Sequence, residues 1–75
     1  MKIQEKFGLT ISQLRKEKGV SQEKFALDAG IDRTYISDIE KGNRNVSLSM
    51  IEKLANYFQI SVSDLFVKIE NNEAK

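Results

Sequence analysis

Residues 21–41 read Ser21-Gln22-Glu23-Lys24-Phe25-Ala26-Leu27-Asp28-Ala29-Gly30-Ile31-Asp32-Arg33-Thr34-Tyr35-Ile36-Ser37-Asp38-Ile39-Glu40-Lys41. Ser21 is a good N-cap, because its hydroxyl can accept a free backbone N–H of a first turn. Glu23 then suits the positive end of the helix dipole. Phe25, Ala26 and Ala29 share one face of the helix that follows, and Leu27 falls off it. Gly30 can close that helix in the left-handed conformation. Asp32 is a second N-cap, for a helix running to about Lys41. Only Gly30 and Ile31 separate Ala29 from this cap. Two short helices joined by so tight a turn have helix-turn-helix geometry.

Helices extend outward from this pair on both sides. Ile3, Phe7, Ile11 and Leu14 recur at spacings of four, four and three, which predicts a first helix over residues 3–18. Lys16 and Lys18 sit in its last turn, where cations suit the dipole. Gly8 lies inside it at a cost of about 1 kcal/mol relative to Ala. Either a close helix contact requires that glycine or the helix starts later. A fourth helix starts at Ser47, with Leu48, Ile51, Leu54, Ala55 and Phe58 on one face. A fifth starts at Ser61, with Asp64 three residues on as a near capping box. Val62, Leu65, Phe66 and Ile69 repeat the apolar pattern. With no strand signal and no Pro, the chain reads as an all-α, compact five-helix domain over residues 1–70. Residues 71–75 read as a frayed C-terminal tail.

Composition narrows the function. The 75 residues are 40% hydrophobic and 31% charged, which fits one small globular domain. Such a domain buries only about 60% of its unfolded surface, which favours an oligomer or partner-binding module over a solitary enzyme. The chain has no Cys and no His. Disulfides, thiolate nucleophiles, the usual zinc ligands and the commonest general base are therefore absent. Carboxylates alone would need a pocket of about 300 Å³ or more, large for this core. No catalytic residue, cofactor or metal ligand is expected. The longest apolar run is three residues, as in Phe25-Ala26-Leu27, whereas a membrane span needs about 20. A cytoplasmic protein without membrane contact is expected. The net charge is only +1, but residues 1–44 carry nine Lys/Arg against seven Asp/Glu, and residues 45–75 carry three against four. The basic bias of the first half is compatible with phosphate contact there.

The helix of residues 33–41 is the functional candidate. At about 100° per residue, Ile36 and Ile39 point inward. Arg33, Thr34, Ser37 and Lys41 lie opposite, and Tyr35 sits on a flank. Arg can grip guanine N7 and O6 with two hydrogen bonds, and Thr can meet a thymine methyl or a base edge. The DNA major groove admits one α-helix, so this face suits base reading. Asp38 and Glu40 run against that trend, since carboxylates repel phosphates. Asp38 either accepts from a cytosine amino group or points clear of the duplex. Gln22 stands at a helix N-terminus, where backbone N–H groups can hold a phosphate. The turn Gly42-Asn43-Arg44-Asn45 could grip a second.

These residues resemble the phage repressor/Cro-type helix-turn-helix family, also called XRE. The likeness runs from Phe7-Gly8-Leu9-Thr10-Ile11-Ser12-Gln13-Leu14-Arg15 through Gly19 to Ala26. It continues over Ala29-Gly30-Ile31, Tyr35 to Gly42, and Leu48 to Phe66. It implies a lambda-repressor-like fold with double-stranded DNA as partner, and an ion pair between Arg15 and Glu40. A narrower resemblance, carried by Asp32 to Ser37, Glu40 and Arg44-Asn45, is to the controller proteins of restriction–modification systems. That resemblance implies a homodimeric transcription regulator acting on palindromic operators near its own promoter, assisting RNA polymerase at strong sites. It places Arg33, Thr34, Tyr35 and Arg44 at bases or the adjoining backbone. Gln22, Ser37 and Asn45 fall mainly at phosphates. Asp38 departs from the small residue common there.

One helix reads too few base pairs to select a genomic site, and a two-fold dimer sets two such helices about 34 Å apart on one DNA face. Apolar residues outside the core stripes are candidates for that contact: Met50 and Tyr57, then Ile60, and Val67. Each could equally fill a gap in the monomer core. Two other functions fit the same residues: a phage-type repressor or antitoxin-type regulator, and a helical interaction adaptor that does not bind DNA.

Overall fold

The computed structural model describes residues 1–72. Five helices follow in order: α1 (Ile3–Lys18), α2 (Gln22–Ala29), α3 (Arg33–Glu40), α4 (Leu48–Tyr57) and α5 (Val62–Glu70). The described residues contain no strand. Four starts are fixed by the side chains expected to fix them. Ser21, Asp32, Ser47 and Ser61 accept from the backbone N–H groups of Lys24, Thr34, Met50 and Asp64 at 3.0, 2.8, 3.2 and 3.0 Å. Each cap contributes about 1 kcal/mol. α1 starts differently: the Glu5 carboxylate turns back to accept from the Lys2 N–H at 2.9 Å.

The turn between α2 and α3 is three residues long, and each has one task. Gly30 takes φ 68°, which lets the Ile31 N–H reach back to the Ala26 carbonyl at 2.9 Å. Ile31 is buried, pinning the turn to the core. Asp32 then caps α3.

The core draws on every helix: Phe7 and Ile11, Phe25 and Ala26, Ile36 and Ile39, Ile51, Leu54 and Ala55, and Leu65 and Ile69. Phe25 is fully buried and meets the rings of Tyr57 and Phe58 at 4.7 and 5.3 Å between centroids. α1 packs across α3 and α5, and α2 packs on α3 and α4. Three residues expected on the inward faces are exposed instead: Ile3 (53%), Leu48 (81%) and Val62 (38%). All three are first-turn residues. Periodicity assigns a face but not how far along the axis the neighbouring helix reaches. Val46, ahead of the Ser47 cap, packs against the core beside α4. Leu27, left unplaced by its pattern, is 79% exposed.

The expected tail begins at Asn71. That residue caps α5, and the Asn72 amide donates to Thr10 Oγ1 at 2.8 Å and to Gln13 Oε1 at 2.9 Å. Residues 73–75 of that tail lie outside the described residues. Among the described residues, no helix is long and apolar enough to cross a membrane.

Gly8 is a contact glycine within an α1 that starts at Ile3. A Cβ there would overlap the Ile39 carbonyl oxygen and stand 3.0 Å from that of Glu40. Both are backbone atoms of α3, so neither can swing aside. Gly8→Ala should therefore destabilise the domain by about 1–3 kcal/mol through overpacking, although Ala intrinsically favours a helix. Urea unfolding checks the sign: a midpoint that rises would mean that α1 and α3 are not in close contact.

Candidate nucleic-acid interface

Ile36 and Ile39, both fully buried, fix the rotation of α3. Arg33 and Thr34 in its first turn, and Lys41 at its end, are consequently exposed, and Ser37 is half-buried between them. Among the described residues, neither Arg33 nor Lys41 belongs to an ion pair. Their charges remain available to an anion.

The opposite edge of α3 is anchored by Glu40. Arg15 Nε donates to Glu40 Oε2 at 2.7 Å and Arg15 Nη2 to Oε1 at 3.1 Å, a two-pronged pair. Arg15 Nη1 donates to the Val20 carbonyl at 2.9 Å, so the same guanidinium also ties down the loop before α2. The Glu40 hydrogen bonds raise the Arg15 pKa above its ordinary value, against the lowering effect of burial. Gln22 joins this group, its amide nitrogen donating to Glu40 Oε1 at 3.0 Å. Gln22 thus links α2 to α3, leaving one N–H and its carbonyl for a ligand. The residue spacing gave no sign of this bond.

A second cluster brings together residues that the sequence reading kept apart. Arg44 Nε and Nη2 lie 3.3 and 3.2 Å from the same oxygen of Asp38, Oδ2. The guanidinium carbon sits 4.7 Å from the centre of the Tyr35 ring. Tyr35 is half-buried against the core and serves as a shelf. Asn45 is exposed, and its carbonyl oxygen accepts from the Gln4 amide at 2.6 Å, fixing the loop to α1. The Asp38–Arg44 contact spans six residues and a turn, so no helical periodicity announces it.

The four dimer candidates divide. Met50, Tyr57 and Ile60 are half-buried against the monomer's own core, while Val67 is 53% exposed. Tyr57 is the most committed, its ring tilted 39° against Phe25 and edge-on to Phe58. Burial, then the charge of Asp28, raises its phenol pKa.

A family model described as "Helix-turn-helix" matches residues 3–65. The chain belongs to the helix-turn-helix family. This is a family of DNA-binding regulators, and its XRE-type members account for the likeness seen in the sequence. The chain is 49% identical over 69 residues to control protein C.MunI of a Mycoplasma species, covering 91% of this chain and 93% of that one. It is 47% identical over 72 residues to control protein C.BamHI of Bacillus amyloliquefaciens, covering 92% and 89%. The crystal structure of the restriction-modification controller protein C.AhdI from Aeromonas hydrophila superimposes with a TM-score of 0.78 at 46% identity, covering 84% of this chain and 96% of that one.

The side chains of Arg15 and Glu40 are only 12% and 7% exposed. Glu40→Ala would leave the guanidinium only its Val20 bond and free the Gln22 amide, and should cost about 3–5 kcal/mol. A loss under about 1 kcal/mol in urea unfolding would make the pair an ordinary surface contact.

Proposed function

We propose that this chain is a homodimeric, sequence-specific transcriptional regulator of the restriction–modification controller type. It binds palindromic operators near its own promoter in the cytoplasm. The observation that carries this reading is the outward face of α3. Exposed Arg33 and Thr34 lead a helix whose rotation and tilt are fixed from behind by Ile36, Ile39 and Glu40. A reading helix must hold its side chains against base edges to within the reach of a hydrogen bond, so rigidity behind it matters as much as chemistry in front. The identity of 47–49% to two control proteins, over about nine-tenths of each, supports the controller reading.

In this reading Arg33 and Thr34 address base edges in the major groove. Ser37, Asn45 and the remaining Gln22 donor meet phosphates on either side. Arg44 meets the backbone with Nη1, the nitrogen not turned to Asp38. A two-fold dimer through the α4–α5 region, with exposed Val67 and the open edges of Met50, Tyr57 and Ile60, doubles the readout. Bound at a strong operator, the dimer assists RNA polymerase; an added weaker site blocks it.

Footprinting on the DNA upstream of the chain's own gene should show two symmetric protected half-sites. Arg33→Ala should cost about 1–3 kcal/mol of binding and relax preference at one base position. Arg44→Ala should weaken all sequences and lower the salt slope by about one unit. If both variants bind like the parent in salt-titrated assays, this assignment of residues is wrong. Absence of any salt-sensitive affinity for upstream DNA would instead point to an adaptor.

A further inference from the structure

Asp38 is the one outward carboxylate of α3 that the proposed contacts leave without a task. It lies four residues after Thr34, which is about 40° around the axis and one turn, some 6 Å, further along. Its side chain is therefore on the reading face, and it is 32% exposed. A bare carboxylate there would oppose binding to every DNA sequence. This one is not bare, because Arg44 contacts it from the following turn. Both contacts go to Oδ2, which leaves Oδ1 with acceptor capacity. The guanidinium is itself held over the Tyr35 ring. The charge is thus balanced, and the carboxylate has a fixed neighbour on one side.

We propose that Asp38 is a base-reading residue, with Arg44 as its buttress: Oδ1 accepts a hydrogen bond from the exocyclic amino group of a cytosine in each operator half-site. This rests on the DNA-binding reading given above and deepens it. An ionised carboxylate only accepts. It is matched by the amino group of cytosine and mismatched by the acceptor edges of guanine and thymine. Arg44 makes such a reader tolerable near phosphates, because the pair carries no net charge. Its contacts of 3.2–3.3 Å are longer than the strongest charge-assisted hydrogen bonds of about 2.7–2.9 Å. They allow the carboxylate to adjust toward a base. Tyr35 then acts as a shelf for the buttress.

The test compares the full-length parent with Asp38→Asn and Asp38→Ala, both surface substitutions whose folding is checked by thermal melting. Affinities are measured for the footprinted operator, for the operator with each half-site base pair replaced in turn, and for unrelated DNA. A reader predicts changes of opposite sign. Operator affinity of Asp38→Ala falls roughly five- to tenfold, as for a lost base contact. Affinity for unrelated DNA rises, because a negative charge has been removed from the protein face. Replacing one cytosine-containing pair per half-site by a pair with thymine there, which penalises the parent, no longer penalises Asp38→Ala, whereas the amide oxygen of Asp38→Asn can still accept and keeps part of the preference. If operator and unrelated DNA both gain affinity in step, Asp38 merely repels phosphates and the proposal fails. It fails equally if neither affinity changes, or if base preference is unaltered at every position. A parent that binds no DNA would overturn the function itself, a result distinct from all of these.

Discussion

The packing of α1 across α3 is the contact on which the rest of the molecule depends. Two different interactions hold it. Gly8 lets the backbones approach until no Cβ would fit. Eleven ångströms of helix further on (seven residues at about 1.5 Å each), Arg15 reaches Glu40 with two hydrogen bonds. The first sets the separation of the helices, and the second sets their register. A hydrophobic interface alone would set neither so tightly, since apolar contact is non-directional. Because Arg15 also holds the Val20 carbonyl, and Glu40 also holds Gln22, one part-buried ion pair ties α1, α3 and the start of α2 together. The orientation of the outward face of α3 is set behind it, at the Arg15–Glu40 pair.

Charge is arranged locally rather than in bulk. A net charge of +1 is too small to draw the chain to DNA from a distance. The carboxylates of α3 are each matched by an arginine from elsewhere, Glu40 by Arg15 at the back and Asp38 by Arg44 at the front. With these pairs neutralised, Arg33 and Lys41 give the exposed face its positive character. In the proposed function such a surface would attract phosphates moderately and leave more of the discrimination to base contacts.

Much of the fold was legible because its local signals agree. Ser21, Asp32, Ser47 and Ser61 stand where apolar periodicity begins, and each makes its capping bond. The exposed first-turn residues Ile3, Leu48 and Val62 were misread because a face is periodic while a neighbour's reach is not. The end of α4 gave no glycine signal: Gln59 takes the left-handed conformation there, with φ 59°. The outward placement of the candidate residues was legible, and their connections were less so. Helical geometry puts Arg33, Thr34 and Ser37 outward without further information. No one-dimensional rule joins Gln22 to Glu40, Gln4 to Asn45 or Asp38 to Arg44, because each depends on where two separate elements meet in space. Asp38 had looked like an obstacle to DNA contact, and only the position of Arg44 gives it a neutralising partner.

The most direct measurement is backbone amide chemical-shift mapping of the protein titrated with its upstream duplex at moderate salt. The account requires the largest changes at residues 33–37 and 44–45, with smaller ones at the start of α2 and little along the solvent face of α1. Strong changes confined to α4 and α5, with α3 silent, would contradict it.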